Sequence, residues 1–217
     1  MNGFALRKFV MAEGGAMRIV AGELKGRAIE APEGNETRPT TDRVREALMS
    51  SLYSLLGGFE GQRVLDAFAG SGALGIEAIS RGAAYAEFFE NGKKAFRVLQ
   101  GNLRSCGLEG GRAHAWNRDV TKAFDKNYVK AETTASLSYS LIFLDPPYQF
   151  SAEAVASFVQ ILFACGAAQD DATVVYEFAQ KDAARAEAAF CDFDIKSKKK
   201  YGKTGVMILG KREGSHS

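Results

Sequence analysis

The sequence predicts a doubly wound α/β fold: a seven-stranded, mainly parallel sheet with helices on both faces and an antiparallel last strand, preceded by a small β-hairpin and helix. Three observations predict it. From Arg63 onward short apolar runs alternate with helical segments, as they must when each crossover returns across a face of a parallel sheet. The first of these runs leads straight into a glycine-rich loop. The last two are joined through Tyr201-Gly202-Lys203, too short for a crossover, so those strands pair antiparallel.

Taken in order, residues 17–31 alternate apolar and polar around Gly22 and Gly26, the pattern of a short hairpin. Pro39 and the acceptor side chains of Thr40, Thr41 and Asp42 signal a helix start. Val44, Ala47, Leu48, Leu52 and Leu55 follow at helical spacing, and Gly57-Gly58 stops the helix. Strands are expected at 63–69, 84–90, 112–116, 139–145, 172–178, 193–198 and 205–210, with helices near 73–81, 93–105, 152–165 and 180–189. The polar stretch 125–138 reads as a loop. The chain divides into a disordered or upstream extension (1–16), a hairpin-and-helix appendage (17–58), the main domain (59–212) and a tail (213–217).

With 217 residues, 46% hydrophobic and 25% charged, the chain has the make-up of an ordinary globular domain and not of a disordered one. A domain of this length buries roughly 70% of its unfolded surface, so its core needs neither disulfide nor metal. Cys106, Cys165 and Cys191 share no C-x-x-C spacing and read as free thiols of a cytoplasmic protein. With only His114 and His216 as histidines, no zinc site is expected. No apolar run approaches the ~18 residues of a membrane helix. The net charge of +2 is small, but from Lys196 to Arg212 there are seven bases and no acid. A second basic cluster, Arg38, Arg43 and Arg45, lies in RPTTDRVRE. Either run alone fits a solvated face; together they suggest a side that meets phosphates.

The glycine loop reads Asp66-Ala67-Phe68-Ala69-Gly70-Ser71-Gly72-Ala73-Leu74-Gly75, a G-x-G-x-x-G between strand and helix. Such a loop lies outside the carboxyl end of a strand, where open sheets bind ligands, and suits a dinucleotide or S-adenosylmethionine. Asp66 separates the two. A carboxylate at the strand mouth repels a pyrophosphate and attracts a cationic methionine moiety, unless it is taken up by loop amides. Glu90, twenty residues after Gly70, is placed to accept from ribose hydroxyls with either cofactor. Asp119 is placed either to accept from an adenine amine or to cap the helix beginning at Val120.

The most specific feature is Asp145-Pro146-Pro147-Tyr148 at the end of the apolar run LIFLD. Two prolines make the peptide rigid, so Asp145 and the Pro146 carbonyl are presented in fixed geometry. An exocyclic amine is a poor nucleophile because its lone pair is delocalised into the ring. Two acceptors that hold its hydrogens let the nitrogen pyramidalise and aim that pair at a methyl sulfonium, while Tyr148 stacks on the base.

The pairing of DAFAGSGALGIEA with DPPY resembles the class I S-adenosylmethionine-dependent amino-methyltransferases, a Rossmann-like fold. With MRIVAGELKGR, RPTTDRVREAL and KKYGKTGVMIL, the stretch from Met17 to about Gly210 resembles the bacterial RsmD family. That resemblance implies methylation of N2 of guanine 966 in 16S ribosomal RNA, free or within a partly or fully assembled small subunit. It implies S-adenosylmethionine as cofactor, held by Asp66, Phe68, Gly70, Gly72, Glu90 and Asp119. The amine would be met by Asp145, Pro146, Pro147 and Tyr148. The RNA would be met by Arg38, Thr40, Arg43, Arg45, Lys198, Lys199, Lys200 and Lys203, with Arg38, Thr40, Asp42, Arg43 and Arg45 on the RNA side or the pocket rim. A monomer with no metal and no membrane contact is expected. The chain departs from the family at Glu90-Asn91-Gly92, which lacks the second acidic residue, and before Asp119, where His114-Ala115-Trp116-Asn117-Arg118 replaces a short strand ending in Gly-Asp. The rival readings are a DNA adenine-N6 or protein-glutamine methyltransferase, a catalytically idle RNA-binding module, and a nicotinamide-dependent oxidoreductase.

Overall fold

The computed structural model describes residues 17–32, 42–124, 138–147 and 149–212. Within them β1 (Met17–Arg18) and β2 (Ala28–Ile29) pair as an antiparallel hairpin, followed by helix α1 (Asp42–Leu56). The chain then runs through β3 (Arg63–Asp66), α2 (Ala73–Ser80), β4 (Tyr85–Phe89), α3 (Lys93–Ser105), β5 (Ala113–Trp116) and α4 (Val120–Ala123). After these come β6 (Tyr139–Leu144), α5 (Ala152–Ala164), β7 (Ala168–Ala179), α6 (Ala183–Ala189), β8 (Phe193–Tyr201) and β9 (Thr204–Lys211). The expected extension 1–16, the tail 213–217 and most of the expected loop 125–138 fall outside the described residues.

The seven strands form one sheet in the order β5-β4-β3-β6-β7-β9-β8. β3 to β7 are parallel to one another, and β9 runs antiparallel to both β7 and β8. Strand order proceeds outward in opposite directions from the β3/β6 pair, so a crevice opens at the carboxyl ends of those two strands. The parallel strands are apolar on both faces because helices cover both. Leu141 and Phe143 of β6 face α1, α2 and α3 with Leu48, Ile76 and Leu99, whereas Ile142 and Leu144 face α5 and α6 with Val159 and Phe190. β3 ends at Asp66, three residues before the expected end at 69. The chain turns off the sheet there, Gly70 and Gly72 taking φ of 54° and 81°, conformations that favour glycine.

The hairpin is tied to α2 and α3 through polar groups that its own short ladder leaves unpaired. Glu77 accepts from the Val20 and Ala21 amides at 2.9 and 3.0 Å, and Ser80 Oγ accepts from Leu24 N–H at 3.0 Å. On α3, buried Asn102 pairs with both backbone groups of Glu30 at 2.9 Å and donates to the Ser71 carbonyl at 2.8 Å. One side chain thus fixes the end of the hairpin against the glycine loop.

Candidate active site at the carboxyl ends of the strands

Each of the parallel strands β3, β4, β5 and β6 delivers one carboxylate to the same rim: Asp66 ends β3, and Glu90, Asp119 and Asp145 lie just beyond β4, β5 and β6. All four line one cleft of about 740 Å³, together with Phe68, Gly70, Ser71 and Pro147. The sequence-predicted residues Asp66, Phe68, Gly70, Glu90, Asp119, Asp145 and Pro147 are therefore brought together. Tyr148, Arg38 and Thr40 lie outside the described residues.

Asp66 is 3% exposed and accepts from Gly75 N–H at 3.0 Å. Burial, opposed by that amide and aided by Asp145 and Glu90, pushes its pKa up to about 7. Glu90 is clamped by two amides, accepting from Gly70 at 2.9 Å and Gly92 at 2.6 Å. The glycine that stands in place of a second acidic residue thus orients the first. Asp119 caps α4, accepting from the amide and hydroxyl of Thr121 at 3.0 and 2.8 Å, while still lining the cleft. The two readings of Asp119 are compatible.

The glycine spacing has separate causes at each position. A Cβ on Gly70 would meet nothing within 4 Å, which leaves the backbone open to a ligand. A Cβ on Gly75 would strike the Phe88 ring and sit 3.2 Å from Asp66 Oδ2, so that residue keeps α2 close to the sheet. These features fit S-adenosylmethionine: a buried carboxylate at the glycine loop held by one amide, a second carboxylate clamped by two amides on the same rim, and an open backbone at Gly70.

Asp145 keeps solvent-facing surface while lining the cleft, and the protein packed around it raises its pKa to about 6. The proline turn behind it is closed by Phe150 N–H donating to the Pro147 carbonyl at 2.9 Å, and Phe150 packs edge-on against Phe68 at 5.3 Å. On the other side of Asp145 lies a smaller cavity of about 310 Å³, which shares Asp145, Pro147 and Phe150 with the first.

The basic residues divide. Arg45 is a correction as an RNA contact: it is buried, donating to Asp42 at 2.8 Å and to the Arg18 carbonyl, with Nε 3.5 Å from Glu77, and it lines the larger cleft instead of the outer surface. A charge run on a helix is not uniformly solvated when one of its positions falls on the buried stripe. Arg43 is exposed, as are Lys198, Lys199, Lys200 and Lys203. Lys199 reaches across to Ser51 of α1 at 2.5 Å, which ties β8 to the helix that carries Arg43. Lys198 is paired with Glu187 at 2.9 Å. Glu77, Asn102 and Glu177, the last lining the smaller cavity, were not singled out by sequence reasoning. For Glu77 and Asn102 the available signal was a polar residue at a buried helical position.

Fold and cleft together define a class I S-adenosylmethionine-dependent methyltransferase. The chain belongs to the family described as conserved hypothetical protein 95, whose model matches residues 17–210, and this bears out the resemblance to the RsmD family. It is 34% identical over 197 residues to the Bacillus subtilis "Putative rRNA methyltransferase YlbH", covering 90% of this chain and 100% of that one. It is 36% identical to the Escherichia coli "Ribosomal RNA small subunit methyltransferase D" over 135 residues, 62% of either chain. The solved structure of the "Putative methyltransferase yhhF" of Escherichia coli matches with a TM-score of 0.70 at 26% identity, covering 91% of this chain and 99% of that one.

Proposed function

We propose that this protein methylates the exocyclic N2 amine of a guanine in small-subunit ribosomal RNA, guanine 966 in the reading implied by the family. One observation carries the proposal: Asp145 stands at the junction of the two cavities, with the acidic, glycine-lined cleft on one side and a base-sized chamber on the other. Bound S-adenosylmethionine supplies an electrophilic methyl group on a sulfonium. Asp66 meets the cationic methionine end, Glu90 the ribose and Asp119 the adenine. Asp145 and the Pro146 carbonyl accept the two amine hydrogens and so direct the nitrogen lone pair away from the ring. With its pKa near 6, Asp145 is also a better proton acceptor than an ordinary carboxylate once the nitrogen has become cationic. Side chains cannot read the base edges of an A-form major groove, so the guanine enters from a loop or is flipped out of its stack. Lys200, Lys203 and Arg43 contact the surrounding phosphates.

The test is transfer of labelled methyl from S-adenosylmethionine to unmodified ribosomal RNA and to small subunits, followed by mapping of the product. Label on N2 of one guanine supports the reading. Label on adenine N6 or on protein glutamine replaces it with one of its rivals.

A further inference from the structure

The smaller cavity carries an acidic residue that the transfer step does not use. Leu144 of β6 is paired with Tyr176 of β7, so the next residue on each strand, Asp145 and Glu177, stands side by side where the parallel pair ends. Neighbouring strands lie about 4.8 Å apart. Both residues line the cavity of about 310 Å³, whose lining also includes Phe150, Tyr176 and Phe178. Tyr176 and Phe178 are themselves packed ring to ring at 5.3 Å. Ligand pockets start at roughly 300 Å³, so this one suits a single flat ring system and not a whole nucleotide.

We infer that Glu177 is the residue that selects guanine, by accepting a hydrogen bond from N1–H while Asp145 holds N2. The inference rests on the reading of this cavity as the seat of the target base. Its chemistry follows from the edge of the base next to the reactive amine. In guanine the neighbour of the amine is N1–H, a donor, and a carboxylate beside it makes a charge-assisted hydrogen bond. In adenine and cytosine the ring nitrogen next to the amine carries a lone pair, and a carboxylate there faces it with no proton between them. Two carboxylates side by side therefore accept from guanine and repel the other amino bases, which excludes them as well as favouring the right one. The aromatic rings hold the base plane without distinguishing bases.

The test compares guanine with 2-aminopurine at the target position of otherwise identical RNA. The two share the 2-amino group, but 2-aminopurine has a lone pair at N1. Wild type should prefer guanine by about 100-fold or more in kcat/KM. Glu177→Gln, whose amide can donate to N1, should lose about 10- to 100-fold on guanine and narrow the preference over 2-aminopurine by at least about 10-fold. Calorimetric titration with S-adenosylmethionine should give the same affinity for both proteins, since Glu177 lies outside the larger cleft. A variant that binds cofactor normally yet keeps the wild-type preference overturns the inference, as does a wild type that uses 2-aminopurine as readily as guanine. A wild type that transfers nothing to guanine-containing RNA overturns instead the reading on which the inference rests.

Discussion

Asp66 binds its proton more tightly in the folded protein than in the unfolded chain, because burial and the carboxylates of Asp145 and Glu90 outweigh the Gly75 amide. A carboxyl raised to about 7 from 3.8 favours the fold at low pH, and its contribution is lost as pH rises from about 4 to about 7. A cationic ligand prefers the ionised form and offsets that loss. S-adenosylmethionine affinity should therefore rise between pH 5.5 and about 7, with proton release on binding. Calorimetry in two buffers of different ionisation enthalpy measures this, and Asp66→Asn should bind more weakly with a flat profile. Asp145, raised to about 6 by the protein around it, should give methyl transfer that declines as pH falls through about 6. Asp145→Ala should lose on the order of 100-fold or more in kcat with cofactor affinity nearly intact, measured by single-turnover transfer and titration. Wild-type turnover in that variant would remove Asp145 from the amine site.

At the scale of elements, the lysines of β8 have two explanations that make different predictions. β8 is one of the two edge strands of the sheet, and lysines on an edge discourage pairing with a second sheet. Position along the strand separates the roles. Tyr201 and Thr204 frame the turn at the carboxyl rim, and Thr204 lines the smaller cavity, so Lys200 and Lys203 stand nearest the target, whereas Lys198 lies farther down and is paired with Glu187. Replacing Lys200, Lys203 or Arg43 by alanine should each reduce the slope of log affinity for RNA against log salt by about 0.7 to 0.9, while Lys198→Ala should change it less. Equal slopes in a salt titration of all four would leave edge protection as the lysines' role. Arg45 behaves otherwise. Breaking a buried ion pair is costly even where a second partner remains, here Asp42 for Arg45 and Arg81 for Glu77, so Arg45→Ala or Glu77→Ala should cost about 3 kcal/mol in denaturant unfolding. The βα alternation, the glycine loop and the DPPY turn were legible in the sequence because each is a local pattern. The role of Arg45 was not, because Glu77 and the hairpin come to it from distant segments and a local charge run carries no sign of them.

For the molecule as a whole, the doubly wound order explains why residues scattered from Asp66 to Asp145 converge: successive strands place their carboxyl ends on one rim. That convergence was readable from the alternation alone. The second chamber was not, because its walls depend on the register of β6 with β7 and on the approach of β9. Trp116 is the chain's only tryptophan and ends β5, with its indole N–H donating to buried Glu87 and its ring stacked 6.4 Å from Phe89, which lines the cleft. It is 37% exposed, poised between water and core. The protein therefore carries a native optical probe beside Asp119, where the adenine is proposed to lie. Titrated cofactor should shift indole emission to shorter wavelength as water is displaced, whereas RNA alone, meeting the opposite end of the rim, should leave the spectrum unchanged. Order of binding can thus be read by stopped-flow fluorescence from the unlabelled protein.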